Sequence, residues 1–202
     1  MLEFINTFFL LFAVIDPLGT VPVFLSATRN FDAGEKRAIA LRSSIIAAII
    51  LIFFIVVGQL IIEGMDVSLD AFQISGGIIL FLFALTMIFG EGKPENEIQM
   101  IKDYKHVTVF PIAMPSIASP GAIMAVVLLT DNHIYGIGQQ VITTAIMLFV
   151  IGITAGLLLV ARYIQSWIGE QGITIISKVM GLILASYATQ SILSGLKSFF
   201  IG

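Results

Sequence analysis

The chain of 202 residues is 58% hydrophobic and only 11% charged, with a net charge of -3 and a mean hydropathy of +1.05. Soluble domains carry about 25% charged residues, and a chain this short cannot build a core that hides several helices apolar all round. Lipid is therefore the expected solvent and a water-soluble fold is excluded; with no cysteine, so are disulfide frameworks and cysteine-based metal sites.

The N-terminus, Met1-Leu2-Glu3-Phe4, has no basic region and reads as the start of a mature helix. A helix crossing about 30 Å of hydrocarbon needs roughly 20 residues. Six stretches meet this requirement: 2–28, 38–62, 70–89, 107–130, 138–161 and 174–197. The first holds Asp16-Pro17-Leu18-Gly19-Thr20-Val21-Pro22, and Asn30 to Arg37 behind it reads as a loop. The second and third are separated by an acidic connector with Glu63, Asp66 and Asp70, read as solvated. The strongest separator runs from Gly90 to His106 and holds Glu91, Lys93, Pro94, Glu95, Glu97, Lys102, Asp103 and Lys105. The fourth stretch holds Met114-Pro115-Ser116-Ile117-Ala118-Ser119-Pro120-Gly121, and the fifth a Gly152-x-x-x-Gly156 packing surface. His106 and His133 form no metal-ligand pattern and read as solvated edge or loop residues, so neither a metal nor a cofactor is expected. Membrane β-strands are ruled out, because they alternate apolar and polar over about ten residues.

Lys and Arg crowd the odd-numbered connectors: Arg29, Lys36, Arg37 and Arg42; Lys93, Lys102 and Lys105; Arg162 and Lys178. The even-numbered connectors carry none. This bias predicts odd connectors in the cytoplasm and both termini on the outer side of an inner membrane.

Helices 1 and 4 each carry a short polar residue, then Pro, then Gly. Gly76-Gly77-Ile78-Ile79-Leu80 and Met180-Gly181-Leu182-Ile183-Leu184 correspond in helices 3 and 6. An all-α fold of two three-helix units is predicted, 1–106 and 107–202. Three crossings per unit place the second upside down, an inverted repeat common among transporters. Asp16 and Ser119 are N-cap residue types, and Pro17 and Pro120 suit the first helical position. With Pro22 and Pro115 they mark the helix breaks. An unbroken first helix of about 27 residues would run about 40 Å, too long for a perpendicular span.

Two half-helix N-termini facing one cavity offer unpaired N–H groups and partial positive charge for a carboxylate. Gly19 and Gly121 would let it approach the backbone, and Asp16 would hold an ammonium group. A small amino acid zwitterion fits that set, with Thr20, Ser116 and Ser119 as further polar neighbours. Asp16 is the one acid clearly inside a span and is the expected proton acceptor. The plainer alternative is that Asp16 only caps a kink.

The motifs Asp16-Pro17-x-Gly19-x-x-Pro22-x-Phe24 and Pro115-x-x-x-x-Pro120-Gly121-Ala122-Ile123, with the helix 3 and helix 6 segments, resemble the MarC family within the LysE-type exporter group. The resemblance spans nearly the whole chain. It implies transport of neutral amino acids such as glycine and alanine, with proton coupling. Many members have Gly where this chain has Ser119, which bears on cavity size. Export of another small solute and a channel are the alternatives. No Ser/His pair or paired acids lie inside the spans, so an enzyme is not expected. The expected partners are an amino acid, protons and the lipid bilayer, and not nucleic acid. Small-residue faces permit a homo-oligomer.

Overall fold

The structure, a computed structural model, describes residues 2–90 and 104–201; the charged connector at 91–103 lies outside the described residues. Every regular element among the described residues is helical. Among the described residues five stretches are long and apolar enough to cross a membrane, and a bent pair brings the number to as many as six.

The first apolar stretch folds as α1 (Leu2–Ile15) and α2 (Thr20–Ala27). The chain between them leaves the helical path at Asp16, whose φ is +46°. Asp tolerates this left-handed conformation better than most side chains, because its short polar group bonds locally. Pro22 sits third in α2, where a missing N–H costs no intrahelical bond.

Next comes α3 (Ala33–Gly64), which starts earlier than the expected residue 38, so most of the Asn30–Arg37 loop is helix. The reason is a capping box: the Asp32 carboxylate accepts from Glu35 N at 2.8 Å, and Glu35 Oε2 accepts from Asp32 N at 3.0 Å. At 32 residues, α3 is about 48 Å long and overshoots a hydrocarbon core. Its charged first turns lie beyond the apolar run. Then α4 (Leu69–Phe89) opens on Ser68, whose Oγ accepts from Ala71 N, and closes on Gly90 in the left-handed conformation that favours glycine.

The short α5 (Tyr104–Val107) leads into α6 (Thr108–Ile117), which is wound irregularly. Phe110 and Met114 inside it are extended, and each precedes a proline, a position where the helical conformation is sterically disfavoured. A bend of 55° follows before α7 (Pro120–Leu129). Past a short connector runs α8 (Ile137–Leu159).

The final element, α9 (Ala161–Ile201), corrects the expected connector between residues 161 and 174, which is mostly helical. Only Gly169, at φ +71°, interrupts it. Glycine reaches that conformation without steric cost, so the chain turns there and stays helical on both sides. Trp167, 93% exposed, and Tyr163 stand out from the segment before the turn, as aromatic residues do at a membrane–water interface.

The broken first crossing lies at the centre. Its most apolar window is 67% buried, whereas those of α3, α4, α8 and α9 are 22–33% buried. The latter present Ile45, Ile49, Phe53, Leu82, Phe149 and Leu182 outward, as a lipid-facing surface requires. Among the described residues, α4 and α9 share the most extensive helix–helix contact. A Cβ on Gly77 would sit 3.0 Å from the Ala188 carbonyl, and one on Gly181 would sit 3.0 Å from the Ala84 carbonyl. The two glycines thus let two backbones approach at reciprocal points.

Candidate functional site

The break between α1 and α2 is built by Asp16. Its Oδ1 accepts from Gly19 N at 2.9 Å, and its carbonyl accepts from Thr20 N at 3.0 Å. Val21 N bonds the Leu18 carbonyl at 3.1 Å. The donors at the start of α2 are therefore taken up locally, as helix N-termini require. A Cβ on Gly19 would overlap the Asp16 carboxylate and force it off the Gly19 N–H. Asp16 itself is buried, with 8% of its surface exposed.

The break before α7 is built in the same way by Ser119. Its Oγ accepts from Ala122 N at 3.0 Å, three residues on, and Pro120 follows as the first helical residue. Ser119 is 1% exposed.

The two breaks touch. Ser119 Oγ donates to the Val14 carbonyl, the last but one residue of α1, at 3.1 Å. Thr20 Oγ1 donates to the Asp16 carbonyl at 3.0 Å and lies 3.4 Å from the Ser116 carbonyl across the seam. Of the six substrate-site candidates, Asp16, Gly19, Thr20, Ser116 and Ser119 thus meet along one seam. Gly121 faces away: a Cβ there would meet Leu80 and Phe83 of α4 at 3.2–3.3 Å. Among the prolines, Pro17 follows the turn at Asp16, Pro120 opens α7 and Pro115 follows the extended Met114. No described cluster of three or more His, Asp or Glu residues could hold a metal ion.

A family model described as MarC family integral membrane protein matches residues 1–200. The chain belongs to the MarC family. It is 38% identical to a UPF0056 membrane protein of Pyrococcus horikoshii, with 99% of each chain covered. It is 34% identical to one of Methanocaldococcus jannaschii over 96% of each chain. The inner membrane protein YhgN of Escherichia coli is 32% identical over 100% of both. No solved structure matches.

This MarC family member also has site residues that sequence reading missed. Ser177, in α9, donates to Asp16 Oδ1 at 3.5 Å across 161 positions. Hydroxyls are common in such helices, and only tertiary packing separates this one from the rest. His133 is 57% exposed at its side chain, as a loop residue should be. It is nonetheless tied in: its Nδ1 lies 3.2 Å from Asp131 Oδ1 and 2.9 Å from Gln59 Nε2. Gln59 Oε1 accepts from Asn132 N at 2.8 Å. That network joins the end of α3 to the connector between α7 and α8.

Proposed function

We propose that the protein is a secondary transporter of small neutral amino acids of the glycine and alanine class, coupled to protons and working by alternating access. The observation that carries this reading is the contact between two broken helices at a buried carboxylate. Irregular backbone and an acid at membrane depth are costly, and such features mark substrate and ion pathways.

The mechanism follows from what Asp16 holds. Its carboxylate, when ionised, holds the Gly19 N–H, the donor that a substrate carboxylate would need. Protonation weakens that hold, since a neutral acid is the poorer acceptor. The freed donor, with the partial positive charge of the α2 terminus, then takes the substrate carboxylate. Proton and substrate bind together, which is the requirement for symport. Thr20 lets the two breaks part and rejoin, because its hydroxyl can donate within its own turn or across the seam, while Ser119 keeps its α7 cap whether or not it also donates to Val14.

The reading includes two inverted units, 1–106 and 107–202. Three pairs of equivalent features support it. Asp16 and Ser119 each accept from the N–H three residues on. Thr28 and Thr130 close the two half-helices by donating to Phe24 and Val126 carbonyls, both at 2.7 Å. Gly77 and Gly181 approach each other's helix reciprocally. An inner membrane location agrees with that of YhgN, an inner membrane protein of Escherichia coli.

The test is uptake of labelled glycine and alanine into liposomes carrying the purified protein, with and without an imposed pH gradient. Gradient-driven accumulation that disappears in Asp16→Asn supports the reading. Undiminished coupled uptake in that variant removes Asp16 from the mechanism. No uptake by folded protein under any gradient sinks the transporter reading.

A further inference from the structure

A cavity of about 240 Å³ opens at the end of the bundle where α1 and α8 begin. It lies between α1, α8, α9 and the connector after α7. Its innermost α1 residue, Leu10, precedes Asp16 by six residues, about 9 Å along a helix. The cavity is therefore separate from the paired breaks.

Its polar lining is Asn6, Thr7, Tyr135, Gln139, Thr143 and Tyr187. None of these side chains hydrogen-bonds another described residue, and no buried side-chain polar atom among the described residues is left without a partner. Thr7, Tyr135 and Thr143 are not exposed residues, so their unbonded polar atoms must reach accessible space rather than lie sealed in the protein. Thr143 is the clearest case. Its neighbour Thr144 bonds the Gln140 carbonyl at 2.8 Å, and Thr154 bonds the Val150 carbonyl at 2.9 Å. That is how a helical Thr usually satisfies itself. Thr143 makes no such bond, although only 7% of it is exposed.

Thr7, Tyr135 and Thr143 bond no other described side chain or carbonyl, and in a groove filled by lipid tails each hydroxyl would stay without a hydrogen bond. These hydroxyls favour water or a polar solute in the space, beside an apolar wall of Phe4, Leu10, Leu129, Ile142 and Ile146. Among the described residues the lining offers amides and hydroxyls, which donate and accept, and no charged side chain. The volume falls below the roughly 300–1,000 Å³ of pockets for drug-sized ligands.

We infer that this cavity is a second solute site, a chamber for one small polar molecule of no net charge, through which solute reaches the breaks. For the identity of the solute, alanine or a close analogue, the inference rests on the transporter reading above. Neutral donors and acceptors hold the solute weakly, as a chamber that must release it inward requires.

The chain has no cysteine, so Thr143→Cys gives a single reactive thiol in otherwise native protein. Thr7→Cys, on α1, is the independent second variant. Each is reconstituted in liposomes and treated with a membrane-impermeant methanethiosulfonate reagent. Labelling is expected, and alanine should slow it by a factor of 1 + [L]/Kd, about fivefold at four times the Kd. Reaction with a lipid-soluble maleimide alone would show a hydrocarbon-filled groove and overturn the inference. So would hydrophilic labelling that glycine, alanine and serine all fail to slow. Uptake in the same vesicles, without reagent, separates the two readings. Protection without uptake keeps the chamber and sinks transport; uptake without protection does the reverse.

Discussion

At the scale of single residues, the paired breaks are held by short-range geometry that substitution can probe. Gly19→Ala places a Cβ on the Asp16 carboxylate, so Asp16 must give up the Gly19 N–H. A loss of about 1–3 kcal/mol is expected, since a buried charge-assisted hydrogen bond is broken. Gly121→Ala is the matched control. Its Cβ meets only side-chain atoms of Leu80 and Phe83 at 3.2–3.3 Å, and those can shift, so its effect should be clearly smaller. Ser119→Ala removes the cap of α7 and the bond to Val14, and should cost about 0.5–2 kcal/mol; Ser119→Gly should cost less at the cap. Thermal unfolding in detergent ranks all four. Equal melting temperatures for the Gly19 and Gly121 variants would mean that the Asp16 turn is not rigid. The cap residues were legible in the sequence, because an N-cap and the proline after it are adjacent in the chain. Their partners were not. Val14 offers a backbone carbonyl, and Ser177 is one hydroxyl among many, so nothing local marks either.

At the scale of elements, the apolar runs located the crossings because a lipid-facing helix needs continuous apolar surface. The ends were less legible. Asp32 and Glu35 form a capping box that a hydropathy reading passes over, and it carries α3 back to Ala33. The irregular path of α6 comes from the two residues before Pro111 and Pro115, which an apolar window averages away. The α4–α9 pair tests the packing. Gly77→Val and Gly181→Val should each separate the helices and lower the melting temperature, because a carbonyl of the opposing backbone stands 3.0 Å from the added Cβ. Gly152→Ala and Gly156→Ala should have little effect, since nothing lies within 4 Å of either Cβ position. Their motif reads like a packing surface in the sequence, yet among the described residues it faces no neighbour. If the Gly152 and Gly156 variants prove the more damaging, that face is covered by a second copy of the chain.

At the scale of the whole molecule, the number of crossings and the sidedness of the ends are one question. Among the described residues five stretches are long and apolar enough to cross, and the bent pair of 105–117 and 120–129 is either a sixth crossing or a re-entrant turn. Six crossings return the C-terminus to the side of the N-terminus; five leave the two ends on opposite sides. The Lys and Arg bias favours six. Arg29, Lys36 and Arg37 follow the first crossing, and Arg162 follows α8. These two ends share a side only if the bent pair crosses. With five crossings, Arg162 would face the side opposite Arg29, against the positive-inside rule. The prediction is that enzymatic reporters fused at both ends of the chain are active outside the cytoplasm, while one fused after Arg162 is active inside it. A C-terminal reporter active in the cytoplasm, with the N-terminal one outside, would make the bent pair re-entrant. The two breaks would then enter the membrane without spanning it symmetrically, and the inverted-repeat mechanism would fail with them.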